Sequence, residues 1–411
     1  MPGDGNVQAA RAAAIALFRE TGLPHRRMEA YKYTDIRAQF GDAAPLPTSR
    51  EMSVDDAALD AALGALAGID ADRIVIVDGK VASNVAAIDG VHFLPISEAL
   101  GDECFSRDHS DLAERTGNDA VVALNTALMA EGAALHIPGE LTKPIHIVHV
   151  ATSETASASV TRNVMHLGDG AQATILETFV TLGDAAHQGN GLARIGIGVG
   201  AQLTHIQAVL VNTGSLYLGN NVVDVSENAR YEGFQYTSGA ALNRTQTFLS
   251  FIGKNAEAHV NGAFLLRGKQ HADATMVIDH AQPGCVSREF FKGVLDDEAR
   301  GVFQGKVQVR QIAQKTDGKQ MSQALLLSER AEFDAKPELE IFADDVACGH
   351  GATTGRIDDE HLFYLMARGV PEAEARTLLI QAFVGEVIET VPNEQIAEAL
   401  GELAAEWMAA A

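Results

Sequence analysis

An all-β core wound as a parallel β-helix, with helical segments on either side, is the fold this sequence predicts, and three observations predict it. Between about residues 131 and 355 the text is rich in Gly, Val, Thr, Ile and Phe, arranged in short period-2 runs with almost no helical spacing. Within that stretch a small or polar residue followed by Ala recurs ahead of strands, at Gly170-Ala171, Gly200-Ala201, Asn228-Ala229, Asn255-Ala256, Glu298-Ala299 and Arg330-Ala331. The intervals are 30, 28, 27, 43 and 32 residues, and His271-Ala272 divides the long one into 16 and 27. A period near 27 to 32 marks units that bury their faces only by stacking on one another. Outside this stretch the apolar residues recur at spacings of three and four. A β-sandwich of this size would be large and propeller blades need about 40 to 45 residues, so stacked coils are preferred.

The elements follow in chain order. Val7, Ala10, Ala14, Leu17 and Phe18 line one face of a helix from about Asn6 to Glu20, which Gly22 and Pro24 stop. Val54 to Leu66 reads as a second helix, and Arg73 to Val81 (RIVIVDGKV) as a hairpin turning at Asp-Gly. Asp119 to Ala130 is helical again. Residues 1–130 therefore form an N-terminal, mainly helical region with a short hairpin, and 131–355 the parallel β-helix core. Residues 356–411 form a helical region: Asp358 caps Asp359 to Arg368, Pro371 opens a helix with Ala375, Leu378, Leu379, Ala382 and Phe383 on one stripe, and a last helix carries Ile396, Leu400, Leu403 and Trp407. Some 55 residues cannot bury all those faces alone, so this unit is expected to dock on something.

At 411 residues, 46% hydrophobic and 21% charged, the chain is that of a folded protein of two or three structural units. A net charge of −24 argues against nucleic acid and against anionic membranes, since such partners are held by Lys and Arg. Cys104, Cys285 and Cys348 lie far apart with no C-x-x-C pair, which suits a reduced, cytoplasmic setting. No leader frames the N-terminal Ala-rich run, and no stretch of about 18 apolar residues suggests a membrane span.

Several familiar chemistries fail. No G-x-x-x-x-G-K-[ST] occurs, so the chain is not itself a P-loop ATPase. Gly196 to Ala201 imitates a dinucleotide loop, but an extended segment follows where a helix is required. G-x-S-x-G is absent. His146 and His149 point to opposite sides of a strand and cannot chelate together. Asp344-Asp345 and Asp358-Asp359 read as turn and cap residues.

Cys348-Gly349-His350 is different. Residues two apart on an extended backbone project to one face, which sets a thiolate donor beside an imidazole donor. Sulfur with nitrogen suits iron, yet a cluster takes about four protein donors, so this pair needs a second chain. The plain alternative, a packed cysteine beside a hydrogen-bonded histidine, stays open on spacing alone.

Residues 334–369, DAKPELEIFADDVACGHGATTGRIDDEHLFYLMARG, closely resemble the C-terminal signature of the SufB/SufD family of iron–sulfur cluster assembly scaffold proteins, in the form of its SufD branch. HAQPGCVSREFFKGVL, VFQGKVQV and AQKTDGKQ upstream are also similar, as is Arg27, Glu29 and Tyr31-Lys32-Tyr33-Thr34 near the start, with Tyr31 where Trp is usual. The resemblance covers most of the chain. It implies a right-handed parallel β-helix, a heterodimer with a SufB-like subunit, and a C-terminal helical region that docks a SufC-like ABC-type ATPase. The chain would then be a non-catalytic subunit of an ATPase-driven assembly complex. It also implies that Cys348 and His350 lie at the seam with SufB, where a transient iron–sulfur cluster is shared, with none held by the isolated chain. Leu362, Phe363, Tyr364, Leu365 and Arg368 are the residues expected to face the ATPase, with helix core as the plain reading of the first four. Cys285 reads as structural.

Two other functions compete: a β-helix enzyme acting on a carbohydrate or acyl group, and a homodimeric β-solenoid with a purely structural role. The first lacks the six-residue period of the acyltransferases and the leader of exported lyases.

Overall fold

The computed structural model describes residues 3, 5–46, 54–82, 87–101 and 111–410; Cys104 lies outside them. The N-terminal part holds helix α1 (Gly5–Thr21), the short helices α2 (Ile36–Phe40), α3 (Asp56–Leu63), α4 (Ile96–Ala99) and α5 (Leu112–Arg115), and α6 (Ala120–Leu128). Asp119 caps α6 by accepting from the N–H groups of Val121 and Val122. β1 (Asp72–Val77) and β2 (Lys80–Val81) form the hairpin, with Asp78 and Gly79 both at positive φ. β3 (His92–Pro95) follows.

From β4 (Ala133–Ile137) to β19 (Ala347–Gly355), consecutive strands alternate between two sheets. The odd-numbered strands β5 to β19 join β1 and β2 in a ten-stranded sheet, and the even-numbered strands β4 to β18 join β3 in a nine-stranded one. Neighbours within this run pair in parallel, so the chain makes a parallel β-solenoid of about eight turns. Side chains alternate between its interior and its two outer faces.

One corner explains the recurring small-residue phrase. Gly170, Gly200, Asn228, Asn255, Gly284 and Lys315 all have φ between 54° and 73°. A left-handed residue is therefore needed once per turn, which selects Gly and Asn. The N–H of each bonds to the next turn, as from Gly200 to the carbonyl of Glu227 and from Asn228 to that of Lys254. The residue that follows is buried: Ala171, Ala201, Ala229, Ala256 and Cys285. Cys285 thus fills an alanine slot in the core. Glu298-Ala299 and Arg330-Ala331 instead precede β16 (Arg300–Val309) and β18 (Glu332–Ile341), at the opposite corner. The 43-residue interval spans one and a half turns, because the phrase marks two corners rather than one.

The interior is mostly apolar, with Ile147, Ile175, Leu203, Val223, Phe251 and Phe303 among its fully buried members. A polar patch around Glu177 interrupts it in the early turns. Glu177 accepts from Gln207 Nε2 at 2.6 Å and Asn163 Nδ2 at 2.5 Å, and meets His205 Nε2 at 3.2 Å. Burial alone would raise its pKa, but these partners outweigh burial and draw the carboxyl down to about 2.

The outer faces are covered at both ends of the chain. On the nine-stranded sheet Arg244 is buried in an ion pair with Asp273, lies 4.2 Å from the Tyr31 ring centroid, and donates to the Ala30 carbonyl at 2.8 Å. Tyr31 donates to Asp119 at 2.6 Å, and Thr34 donates to Asp273. The Tyr31-Lys32-Tyr33-Thr34 phrase is therefore a strap seated on the solenoid wall.

On the ten-stranded sheet lie α8 (Glu372–Ile388) and α9 (Glu394–Ala409), whose Ile380, Val384, Val387, Ile396 and Leu400 pack on Ile206, Phe234, Leu265 and Val294. Lys292 pairs with Glu386 beneath the Phe383 ring, and Arg267 stacks on Trp407 at 4.0 Å. α7 (Asp359–Ala367), capped by Asp358, follows β19 after only Arg356, Ile357 and Asp358. Among the described residues no helix is long and apolar enough to cross a membrane.

Candidate functional site

β19 is the edge strand of its sheet. Its residues pair with β17 (Asp317–Leu326), so that Cys348 stands opposite Gly318 and His350 opposite Gln320. One strand further in, β15 (Val286–Leu295) aligns Ser287 with Gly318 and Glu289 with Gln320. All six positions belong to the inward-facing set. No further turn follows β19, which leaves Cys348 half-buried against the interior cluster and His350 exposed. The pair thus sits on one face of one strand, about 7 Å apart along the backbone, at the open end of the solenoid.

Gly318 shapes what the thiol sees. A methyl group there would lie 3.4 Å from Ser287 Oγ and 3.6 Å from Cys348 Sγ, so the glycine leaves a notch between them. Ser287 Oγ in turn meets His280 Nε2 at 3.1 Å, and burial holds that imidazole neutral with its pKa near 3. Burial also pushes the Cys348 thiol up; the Gly318 N–H opposes this and the charges of Asp317 and Glu289 add to it. The sulfur is therefore a protonated thiol at neutral pH, and becomes a strong donor only when a cation displaces its proton.

Behind the pair lies an under-satisfied polar layer. Glu289 is buried, and neither of its oxygens has a hydrogen-bond partner of good geometry; the same holds for both polar atoms of the Gln320 amide and for Ser322 Oγ. The carboxyl is pushed up to about 8 by burial, which outweighs the proximity of Ser287, Arg288 and Gln320. Gln320 crosses the interior because Gly305 leaves room: a Cβ there would sit 3.0 Å from its Oε1. Sequence reading missed this layer; the only signal was a glutamate at an inward position of the period-2 run VSREFFKG.

Among the described residues, no three His, Cys, Asp or Glu side chains converge tightly enough to hold a metal ion. Cys348 and His350 could contribute two donors to iron, with others coming from outside this chain. His146 and His149 lie on opposite faces of β5 (Ile145–Ala151), the first bonded to Thr178 and the second stacked on Phe179.

The residues expected to face an ATPase fall on α7 and its end. Phe363 is 73% and Tyr364 57% exposed, Leu365 is half-buried and Arg368 is exposed, donating to Tyr364 Oη at 3.0 Å; Leu362 is buried. Met366, also on α7, and Leu378, on α8, are exposed as well.

Comparison with known proteins adds to this geometry. The SufBD core domain of the SUF system for FeS cluster assembly matches residues 149–383, and the SufBD protein N-terminal region matches residues 5–147. The iron-sulfur cluster assembly protein SufD of Escherichia coli is 31% identical over 381 residues, covering 91% of this chain and 86% of that protein. SufD of Bacillus subtilis is 26% identical over 306 residues, 72% of this chain and 70% of that one. The chloroplastic protein ABCI7 of Arabidopsis thaliana is 26% identical over 407 residues, 95% of this chain and 84% of that one.

Proposed function

The chain belongs to the SufBD family of iron–sulfur cluster assembly proteins, and from that premise we propose that it is the SufD-type scaffold subunit of a SUF complex, presenting Cys348 and His350 to a nascent cluster that it shares with a SufB-like partner. The observation that carries this reading is the placement of two iron-compatible donors on the inward face of an edge strand that nothing among the described residues covers. A partner strand added along β19 would complete its open ladder of N–H and C=O groups and bring the missing donors alongside.

In this role the cluster is cargo. His350, exposed, offers an imidazole nitrogen directly. Cys348 releases its proton as iron binds, so it engages after the cation has arrived. The scaffold supplies position and no turnover of its own, while work comes from an ATPase of the SufC type docked on Phe363, Tyr364, Leu365 and Arg368, with Leu362 holding that helix in shape.

Anaerobic reconstitution of the complex tests the site. His350→Ala is expected to cut cluster yield at least tenfold, and Cys348→Ala to cut it less, with both variants keeping the wild-type melting temperature. Equal yields in all three proteins would remove the assignment. The docking surface is tested separately: Phe363→Asp with Tyr364→Asp should abolish co-purification of the ATPase subunit and leave the SufB-like partner bound. Retention of the ATPase would place its surface elsewhere.

A further inference from the structure

In a chain of net charge −24, arginines find carboxylates easily. Arg73, Arg115, Arg194, Arg230, Arg288, Arg300, Arg310, Arg330 and Arg376, for example, all sit in ion pairs. Among the described residues, the arginines with neither an ion pair nor a side-chain hydrogen bond are Arg19, Arg26, Arg27 and Arg37, and all four gather at one place. Arg19 and Arg37 border a cavity of about 640 Å³ between α1, α2 and the solenoid wall, floored by Phe18, Leu23, Phe40, Leu124, Leu128 and Leu218. Arg26, Arg27 and Arg37 line the recess that adjoins it, and His25 borders both. Glu20 and Asp35 are the acidic groups on the two rims, and Asp35 is engaged in capping α2 through the Ala38 N–H.

The cavity has the volume of a small-molecule site, with a largely apolar lining and convergent polar groups at the mouth. Guanidinium groups bind phosphate bidentately and also stack on flat rings, and two phenylalanines stand in the lining. We propose that this groove binds an organic phosphate that carries a planar aromatic ring, with the phosphates held by Arg26, Arg27 and Arg37 and the ring laid against Phe18 and Phe40. It lies on the N-terminal helices and is independent of the Cys348–His350 edge. Neither an inorganic anion, which would leave the apolar floor wet, nor an uncharged ring, which would leave the arginines unmatched, uses both halves.

The full chain alone, free of any ATPase subunit, is titrated with etheno-ADP, etheno-adenosine and inorganic phosphate, following fluorescence and competition. The expected result is binding of etheno-ADP at least tenfold tighter than of either half, weakened by salt, and lowered at least tenfold by Arg26→Ala with Arg37→Ala. These side chains are exposed, so the variant should keep the wild-type melting temperature. Phe40→Ala should weaken etheno-ADP while sparing phosphate. Absence of etheno-ADP binding at millimolar concentration would overturn the proposal, as would affinity unchanged in the arginine variant. Phosphate binding as tightly as etheno-ADP would also overturn it, by reducing the groove to a simple anion patch.

Discussion

Arg244→Ala is expected to destabilise the chain by about 3 to 5 kcal/mol, the range for removing one member of a buried ion pair. Asp273 is buried, and once its cation is gone the carboxylate keeps Thr34 and loses the charge that justified its burial. The strap loses more than that. Arg244 also holds the Ala30 carbonyl and underlies the Tyr31 ring, so one substitution removes a charge pair, a backbone hydrogen bond and a cation–π contact. Denaturant unfolding should show the loss, and trypsin should cut sooner at Arg26, Arg27 and Lys32. Arg310→Ala is the control: its pair with Asp279 is more exposed, and about 1 kcal/mol or less is expected. Equal losses in the two variants would show that the strap is not held as described.

Glu289→Gln should have an effect that depends on pH. An ordinary glutamate titrates near 4.5, whereas this one is pushed up to about 8. Between those values the folded chain keeps a proton that the unfolded chain has released, so this group lowers stability as pH rises through the window. Each pH unit inside the window costs up to about 1.4 kcal/mol. Glutamine has no such slope. The variant should match wild type near pH 4.5 and exceed it by about 2 to 4 kcal/mol at pH 8, read from unfolding free energies across that range. Glu177 acts with opposite sign and elsewhere. Its carboxyl is drawn down to about 2, so its contribution is present above 4.5 and fades as pH falls toward 2. Parallel curves for wild type and variant between pH 5 and 8 would mean that Glu289 is ionised in the folded chain.

The solenoid was legible because its repeat is enforced by the backbone. A left-handed corner must recur every turn, and only a few residue types accept it cheaply, so Gly170, Gly200, Asn228 and Asn255 mark it in the text. The helices at the C-terminal end were legible from the Asp358 cap and from apolar stripes such as Ile396, Leu400 and Leu403. Cys348 and His350 could be paired from strand alternation alone. That they occupy an uncovered edge was not legible, since an edge is defined by which strand does not follow. The strap was visible as a phrase, but its anchor Arg244 lies more than two hundred residues away in ALNRTQT, which carries no local signal. Glu289 and Gln320 were hidden for the same reason: their peculiarity is a lack of partners, and partners are set by packing.

The short passage from β19 to α7 has a mechanical consequence. Three residues tie the strand that bears Cys348 and His350 to the helix that bears Phe363 and Tyr364, and the edge strand is hydrogen-bonded on one side only. α8 and α9 are bolted to the solenoid wall through Lys292 and Arg267, so a tug on α7 has little slack to absorb it on that side. The softest element in the load path is the last strand itself. A force applied at the helix would peel β19 from Gly355 backward, reaching His350 before Cys348.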